Sequence, residues 1–394
     1  MRHDRSQSSN NKPEISVFDN LEQLLHYKNQ SQTLSKTEPC ITETGDWQIT
    51  DLDLVNAQSD YFSISLYKIE PHCTRFLITQ NQPALVMLVM AEVDGKTYAL
   101  LNLRYEPGLI ENINYTATIQ STPNNYLRQH GGKETPFLAL AVSPQQHGTV
   151  LLDTENYDWG DLYVLKKKRY LILKINNLLV PPAGFFWVTQ DVLAQMAQHD
   201  QLITNDLRVC VPFLHTKAPM NVAAHVPYRA PSRTIAKVPF DYKTVDSDGR
   251  HIQFFRAQTR AREVGGWIQP LLAGCKPKHI RLTFKEVGRS KRYALIQSSQ
   301  VGLLGERVWY PAEIANAEAC QSVFTSAEGG RFWRHAIHIQ LLKLAEGTHN
   351  STDEDAQVVW FTKSQLLDMI ATPLATSLEL RMALSMVDFS TEDE

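Results

Sequence analysis

Apolar residues along this chain mostly alternate with polar ones or bunch into short runs, and helical spacing is confined to a few places. The segments "DYFSISLYKI" (60–69), "ALVMLVMAEV" (84–93), "KTYALLNLRY" (96–105) and "YLILKI" (170–175) are rich in β-branched and aromatic residues, which predicts strands. Two segments read differently. After Thr189 the apolar positions are Val192, Leu193 and Met196; after Thr362 they are Leu366, Leu367, Met369 and Ile370. Steps of three and four residues put them on one helix face, and the threonine in front can cap the first turn. Strands followed by helices, without regular alternation of the two, predict an α+β fold.

Compared with itself, the chain repeats. "FFWVTQDVLAQMAQHDQLITNDLRVCVPFL" (185–214) aligns without gaps on "VVWFTKSQLLDMIATPLATSLELRMALSMV" (358–387), matching Trp187 with Trp360, Thr189 with Thr362 and Arg208 with Arg381. "RFLITQNQP" (75–83) parallels "REVGGWIQP" (262–270), and "DWGDLYVLKKKRYLILK" (158–174) parallels "EGGRFWRHAIHIQLLKL" (328–344). Three blocks in one order predict a duplication of roughly 150–170 residues, a domain-sized unit. The polar residues 1–38 read as a flexible arm with at most one short helix, around "VFDNLEQLLHYK" (17–28). Residues 39–214 then form a first unit, the proline-bearing stretch 215–238 a linker, 239–387 a second unit and 388–394 an acidic tail.

Composition narrows the function. With 394 residues, 43% hydrophobic and 21% charged, the chain can bury a sizeable core. A formal net charge of −3 speaks against broad nucleic-acid or anionic-membrane binding. No apolar run is long enough to span a bilayer, and "MRHDRSQSSNNKPE" lacks the apolar centre of a signal peptide. Five dispersed cysteines without a CxxC pair read as reduced thiols, so a cytoplasmic protein is expected.

The string "EPG" (106–108), then "ATIQSTPNNYLRQHGG" (117–132), the strand "LYVLKKKRYLIL" and the helix "FFWVTQDVLAQM" together resemble the first half of the NDP-hexose 2,3-dehydratase family. "REVGGWIQPLL" and "SAEGGRFW" are similar to that family's second repeat. The resemblance implies a duplicated Nudix-like fold and a homodimer. It also implies elimination of the C2 hydroxyl from a nucleotide-linked 4-keto-6-deoxyhexose, with a dTDP-sugar as the partner molecule. No Nudix box is present, which disfavours diphosphate hydrolysis. Departures are visible: Gln80 stands where the second repeat has Trp267, and "TENYDWG" stands where "SEQGSW" is expected. The first repeat keeps the "EPG…TIQST…NNYLRQHGG" face and the second keeps "REVGGWIQP" and "EGGRFW". That division implies one working pocket drawing on both.

In a 4-keto sugar the C3 hydrogen is acidified by the carbonyl and the C2 hydroxyl is β to it. Elimination needs a base, a group for the enolate oxygen and an acid, but no nicotinamide or metal, so no cofactor is expected; no GxGxxG or HExxH string is present. His130, between Gln129 and two glycines, is a candidate acid or base, and its plainer reading is a solvent-facing loop histidine. Glu106 is a candidate base or simply a strand-end carboxylate. Tyr126 is a candidate oxyanion donor or an aromatic packed beneath the loop. Thr118, Gln120, Asn124 and Asn125 suit sugar hydroxyls or a base edge, or else turn-capping around Pro123. Arg128, Arg262 and Arg331 suit phosphate, while Trp267 with Gln269 offers a stacking face or a core anchor. The run Lys166–Arg169 reads as an alternating strand face in water, with contact to a diphosphate as the lesser alternative. Two rival functions stay open: dehydration or isomerisation of another β-hydroxy carbonyl compound, and non-catalytic sugar-nucleotide binding.

Overall fold

A computed structural model of the chain describes residues 16–32, 35–40, 43–58, 61–70, 72–129, 133–220, 235–260, 265–327, 330–345 and 358–390. Ala84–Val93 and Lys96–Tyr105 form an antiparallel hairpin closed by Asp94-Gly95. Both turn residues have positive φ, the geometry that a two-residue turn requires and that Asp-Gly adopts at least cost. Lys167–Ile175 lies parallel to the first strand, Thr149–Tyr157 lies antiparallel outside it, and Phe185–Thr189 flanks the second.

The second half has the same pairing. Lys278–Val287 and Ser290–Ser298 form the hairpin, Ala336–Lys343 is the parallel neighbour, Glu318–Ser326 the outer strand and Val359–Phe361 the flank. Even the irregularity recurs: the outer strand bulges between Val150 and Leu152 in one half and between Ala319 and Gln321 in the other. Gln190–Ala197 and Lys363–Ala371 are helices capped by the Thr189 and Thr362 hydroxyls, and each is followed by a shorter helix, Asn205–Cys210 or Leu378–Leu384. The matched arginines are buried pins. Arg208 donates to the carbonyls of Ala197 and His199, and Arg381 to those of Thr376 and Tyr157. The molecule is thus mainly β with few helices, built from mixed sheets in two halves.

Backbone pairing corrects the register of two sequence blocks. Ile78 N–H donates to Leu162 and Leu272 N–H to Arg331, each at 2.9 Å, so Ile78 and Leu272 are counterparts. By that register Arg75 corresponds to Gln269 rather than Arg262. Gln82-Pro83 leads into the Ala84 strand, whereas Gln269-Pro270 lies inside the Gly266–Ala273 strand. The other block is one residue out. Asp158 N–H donates to Lys166 and Ala327 N–H to His335, both at 2.9 Å, and the preceding Leu165 and Arg334 share a left-handed φ. Lys166 therefore corresponds to His335.

The reading of 1–38 as a flexible arm needs correction from residue 16 onward. Val17–Phe18 pairs with Trp187–Val188, Leu21–Ser31 is a helix capped by Asn20, and Ser35–Pro39 adds a strand to His251–Thr259 of the second half. The short helix lies where the sequence suggested one; polar composition hid the strand pairings on either side, and the helix itself buries only Leu24, Lys28 and Ser31. Most of the linker reading lies outside the described residues, although Ala236–Lys237 pairs with Tyr67–Lys68. One apolar core runs through both halves; a smaller one covers the outer face of the first sheet. Among the described residues no helix is long and apolar enough to cross a membrane.

Candidate active site

Where the two halves meet, the "EPG" turn is stitched to the second half. Pro107 C=O accepts from Gly330 N–H at 2.5 Å and Gly108 C=O from Arg334 N–H at 2.6 Å. Gly108 has φ 96°, and a Cβ there would stand 2.0 Å from the Phe332 carbonyl oxygen. Only glycine fits. Gly108→Ala should open this seam and cost at least about 1–3 kcal/mol of stability from backbone strain alone, read by chemical denaturation; an unchanged midpoint would contradict the seam.

The seam walls a cleft of about 530 Å³, a size suited to a small-molecule ligand. From the first half come Arg104 and Glu106 at the end of the Lys96–Tyr105 strand, Gln120 and Asn125 beyond it, and Arg128 at the rim. Glu106 is 7% exposed and its Oε1 lies 3.5 Å from Arg104 Nε. Gln120 has its carbonyl oxygen held by the Thr116 and Thr204 hydroxyls, which leaves the amide nitrogen as the end able to donate to a ligand.

The second half contributes Trp267, Gln269 and Arg331. Trp267 Nε1 donates to Gln269 Oε1, and Gln269 Nε2 donates to Gly330 C=O at 2.6 Å, so the pair is fixed side by side. The Arg331 guanidinium stacks 3.8 Å from the Phe62 ring centroid and donates to Gly330 C=O and, at 3.5 Å, to Gln80 Oε1. Burial, partly offset by Tyr163, Glu106 and Asp158, holds its pKa below the usual arginine value. Gln80, the counterpart of Trp267 by sequence alignment, lies in the same cleft as Trp267.

The floor is ionic. Lys166 and Lys168 reach inward to Asp158 at 2.8 and 3.2 Å, and Lys168 also meets Asp206 at 2.8 Å, which accepts from the Tyr170 hydroxyl at 3.0 Å. Lys166 Nζ also lies 3.9 Å over the Tyr163 ring. Burial raises the Asp158 pKa, but Lys166 and Lys168 outweigh it and keep the carboxyl well below the usual carboxylate range. Burial lowers the Lys166 pKa and its partner Asp158 only partly restores it.

Residues 19–214 match the family model described as NDP-hexose 2,3-dehydratase. Over that stretch, just under half of its length, the chain matches this family. It is 22% identical over 286 residues to the dTDP-4-dehydro-6-deoxy-alpha-D-glucopyranose 2,3-dehydratase of Saccharopolyspora spinosa, covering 60% of this chain and 58% of that one. It is 24% identical over 350 residues to the enzyme of the same name from Streptomyces violaceoruber, covering 75% and 78%, and 23% identical over 145 residues to that of Amycolatopsis orientalis, covering 37% and 31%. The match therefore spans less than two thirds of the Saccharopolyspora protein.

Of the dehydratase-type site residues expected from sequence, the cleft brings together Glu106, Gln120, Asn125, Arg128, Trp267, Gln269 and Arg331. His130 and Arg262 lie outside the described residues. Thr118, Asn124 and Tyr126 are not among its lining residues. The Thr118 hydroxyl donates to Leu100 C=O and accepts from Val89 N–H, mending the sheet, and Asn124 is buried inside its turn. Tyr126 packs on the outer-face core instead, where burial raises its pKa. Pro123–Tyr126 is a single helical turn, so when Asn125 faces the cleft the next residue is rotated roughly 100° away.

Sequence reasoning did not single out Arg104, Asp158, Tyr163 or Asp206 and read Lys166 and Lys168 chiefly as facing water, yet all six lie close to or line this cleft. The alternation in Lys166–Arg169 is real, but only Lys167 and Arg169 take the outer face, pairing with Glu155 and Asp153. The available signal was Asp158 within "TENYDWG": an acid one strand away that could neutralise an inward lysine.

Proposed function

We propose that this chain is a sugar-nucleotide 2,3-dehydratase that removes the C2 hydroxyl of a dTDP-linked 4-keto-6-deoxyhexose. The observation that carries the reading is the cleft itself, which sets Glu106 beside Arg104 and faces it with Arg331, Gln269 and Trp267 from the other half. The names of the three relatives support the same chemistry.

In this reading Trp267 stacks on the base, Arg331 and Arg128 hold the diphosphate, and Gln120 and Asn125 bond the hexose hydroxyls. Glu106 takes the C3 proton. The electrons move into the C4 carbonyl, then return to expel the C2 hydroxide, giving a C2=C3 enol that tautomerises to the 3,4-diketo-2,6-dideoxy product. The repeated strand order, bulge and caps support descent of both halves from one Nudix-like module. A cytoplasmic homodimer belongs to the same reading. Incubation with thymidine diphosphate 4-keto-6-deoxyglucose, followed by mass spectrometry, should show loss of one water. Unchanged substrate, together with no thermal shift on adding thymidine diphosphate, would rule the proposal out.

A further inference from the structure

Elimination also needs an acid for the departing hydroxide; of the candidates from the sequence, Tyr126 faces the outer core, and His130 lies outside the described residues. Resting on the dehydratase reading, we infer that Lys166 is the catalytic acid that protonates the leaving C2 hydroxyl.

Three observations carry this. Lys166 lines the same cleft as Glu106 and is itself 7% exposed, so a bound hexose meets it without intervening bulk water. Its ammonium has three donors; Asp158 takes one and the Tyr163 ring covers another side, while the cleft lies open to the remainder. The fold does not demand lysine here, because the counterpart backbone position in the second half holds His335. The groups facing Lys166 are Asp158 before it in the chain, Lys168 on the next strand, Tyr163 beneath it and Arg331 from the other half. The two cations and the burial ease release of its proton, and Asp158 keeps it protonated until substrate arrives.

The protons balance. Glu106 removes the C3 proton as the C4 enolate forms. Collapse of the enolate breaks the C2–O bond, and the Lys166 ammonium gives its proton to the leaving oxygen, releasing water. The enol hydroxyl on C3 then returns a proton to the neutral amine while Glu106 delivers its proton to C2. Both residues end as they began.

The assignment separates two steps that a structural role would not separate. In heavy water, Lys166→Met should still exchange the substrate's C3 hydrogen through Glu106 while dehydration falls on the order of 10²–10⁴-fold. Thymidine diphosphate affinity should stay within about threefold. Lys168 still pairs with Asp158 in this variant, so the ionic floor stays closed. Lys166→Arg keeps the charge yet should fail in the same step, since a guanidinium does not release its proton. Lys166→Cys treated with bromoethylamine restores an ammonium and should restore dehydration, with wild-type protein alkylated in parallel as the control. In the native protein turnover should fall as pH rises through the Lys166 value, below that of an ordinary lysine, and Lys166→Arg should lack this limb. Dehydration by Lys166→Met at near the wild-type rate would overturn the assignment, as would equal loss of exchange and dehydration or a matching loss of nucleotide affinity. A wild-type protein that loses no water overturns the dehydratase reading and this assignment with it, and the wild-type arm alone reveals that case.

Discussion

Glu106→Gln should bind thymidine diphosphate as the native protein does and yet turn over on the order of 10³ times more slowly. The amide has the carboxylate's shape, so the seam at Pro107 and Gly108, made by backbone groups, is untouched. On the proposed reading the variant loses the carboxylate charge beside Arg104 and, with it, the base that removes the C3 hydrogen. Because this step precedes loss of hydroxide, exchange of that hydrogen with heavy water should vanish together with dehydration, in contrast to the Lys166 variants. Steady-state kinetics and deuterium incorporation give the answer. Activity within about tenfold of native would remove Glu106 from the mechanism.

Asp158→Asn should be the most destabilising single change in the cleft. Asp158 is 3% exposed and meets both Lys166 and Lys168. Its loss takes one carboxylate from Lys168, which keeps Asp206, and strands Lys166 among Tyr163, Lys168 and Arg331. Removing one partner of a buried ionic group costs about 3–5 kcal/mol, because the remaining charge stays desolvated. Chemical denaturation measures it, and a loss under about 1 kcal/mol would show that water already reaches these lysines. The pH dependence has a definite sign. Since the folded state holds the Asp158 carboxyl below its unfolded value, the contribution is complete above about pH 4 and is lost as pH falls through the acid range. Asp158→Asn should therefore flatten the acid limb of the stability profile as well as lower its plateau.

Local signals carried much of the fold. The strands at 84–93 and 96–105 and the threonine caps depend on neighbours within a few residues, and all are where the sequence puts them. Register was harder. The shared Gln-Pro dipeptides at 82–83 and 269–270 drew the alignment toward identical letters, while backbone pairing follows Ile78 and Leu272. Insertions between matched strands cost little in loops, so identity there is a poor guide to position. Glu106, Gln120 and Arg331 were legible as residues of one cleft because their motifs are specific as a set. Lys166 and Lys168 were not. Alternation says that neighbouring residues face opposite ways, but not which face is covered, and burial of a lysine depends on acids such as Asp158 and Asp206 that are distant or unremarked in sequence. Tyr126 failed for the opposite reason: its motif was visible, but a single helical turn decides its direction.

On the proposed reading, one cleft between the two halves holds the nucleotide sugar with the reacting carbons beside Glu106. A crystal structure of Glu106→Gln with thymidine diphosphate 4-keto-6-deoxyglucose tests it most directly. The diphosphate should lie against Arg331, the base against Trp267, and the hexose C2 and C3 between residue 106 and Lys166. A nucleotide bound elsewhere on the protein, or a hexose pointing out of the cleft toward solvent, would contradict it.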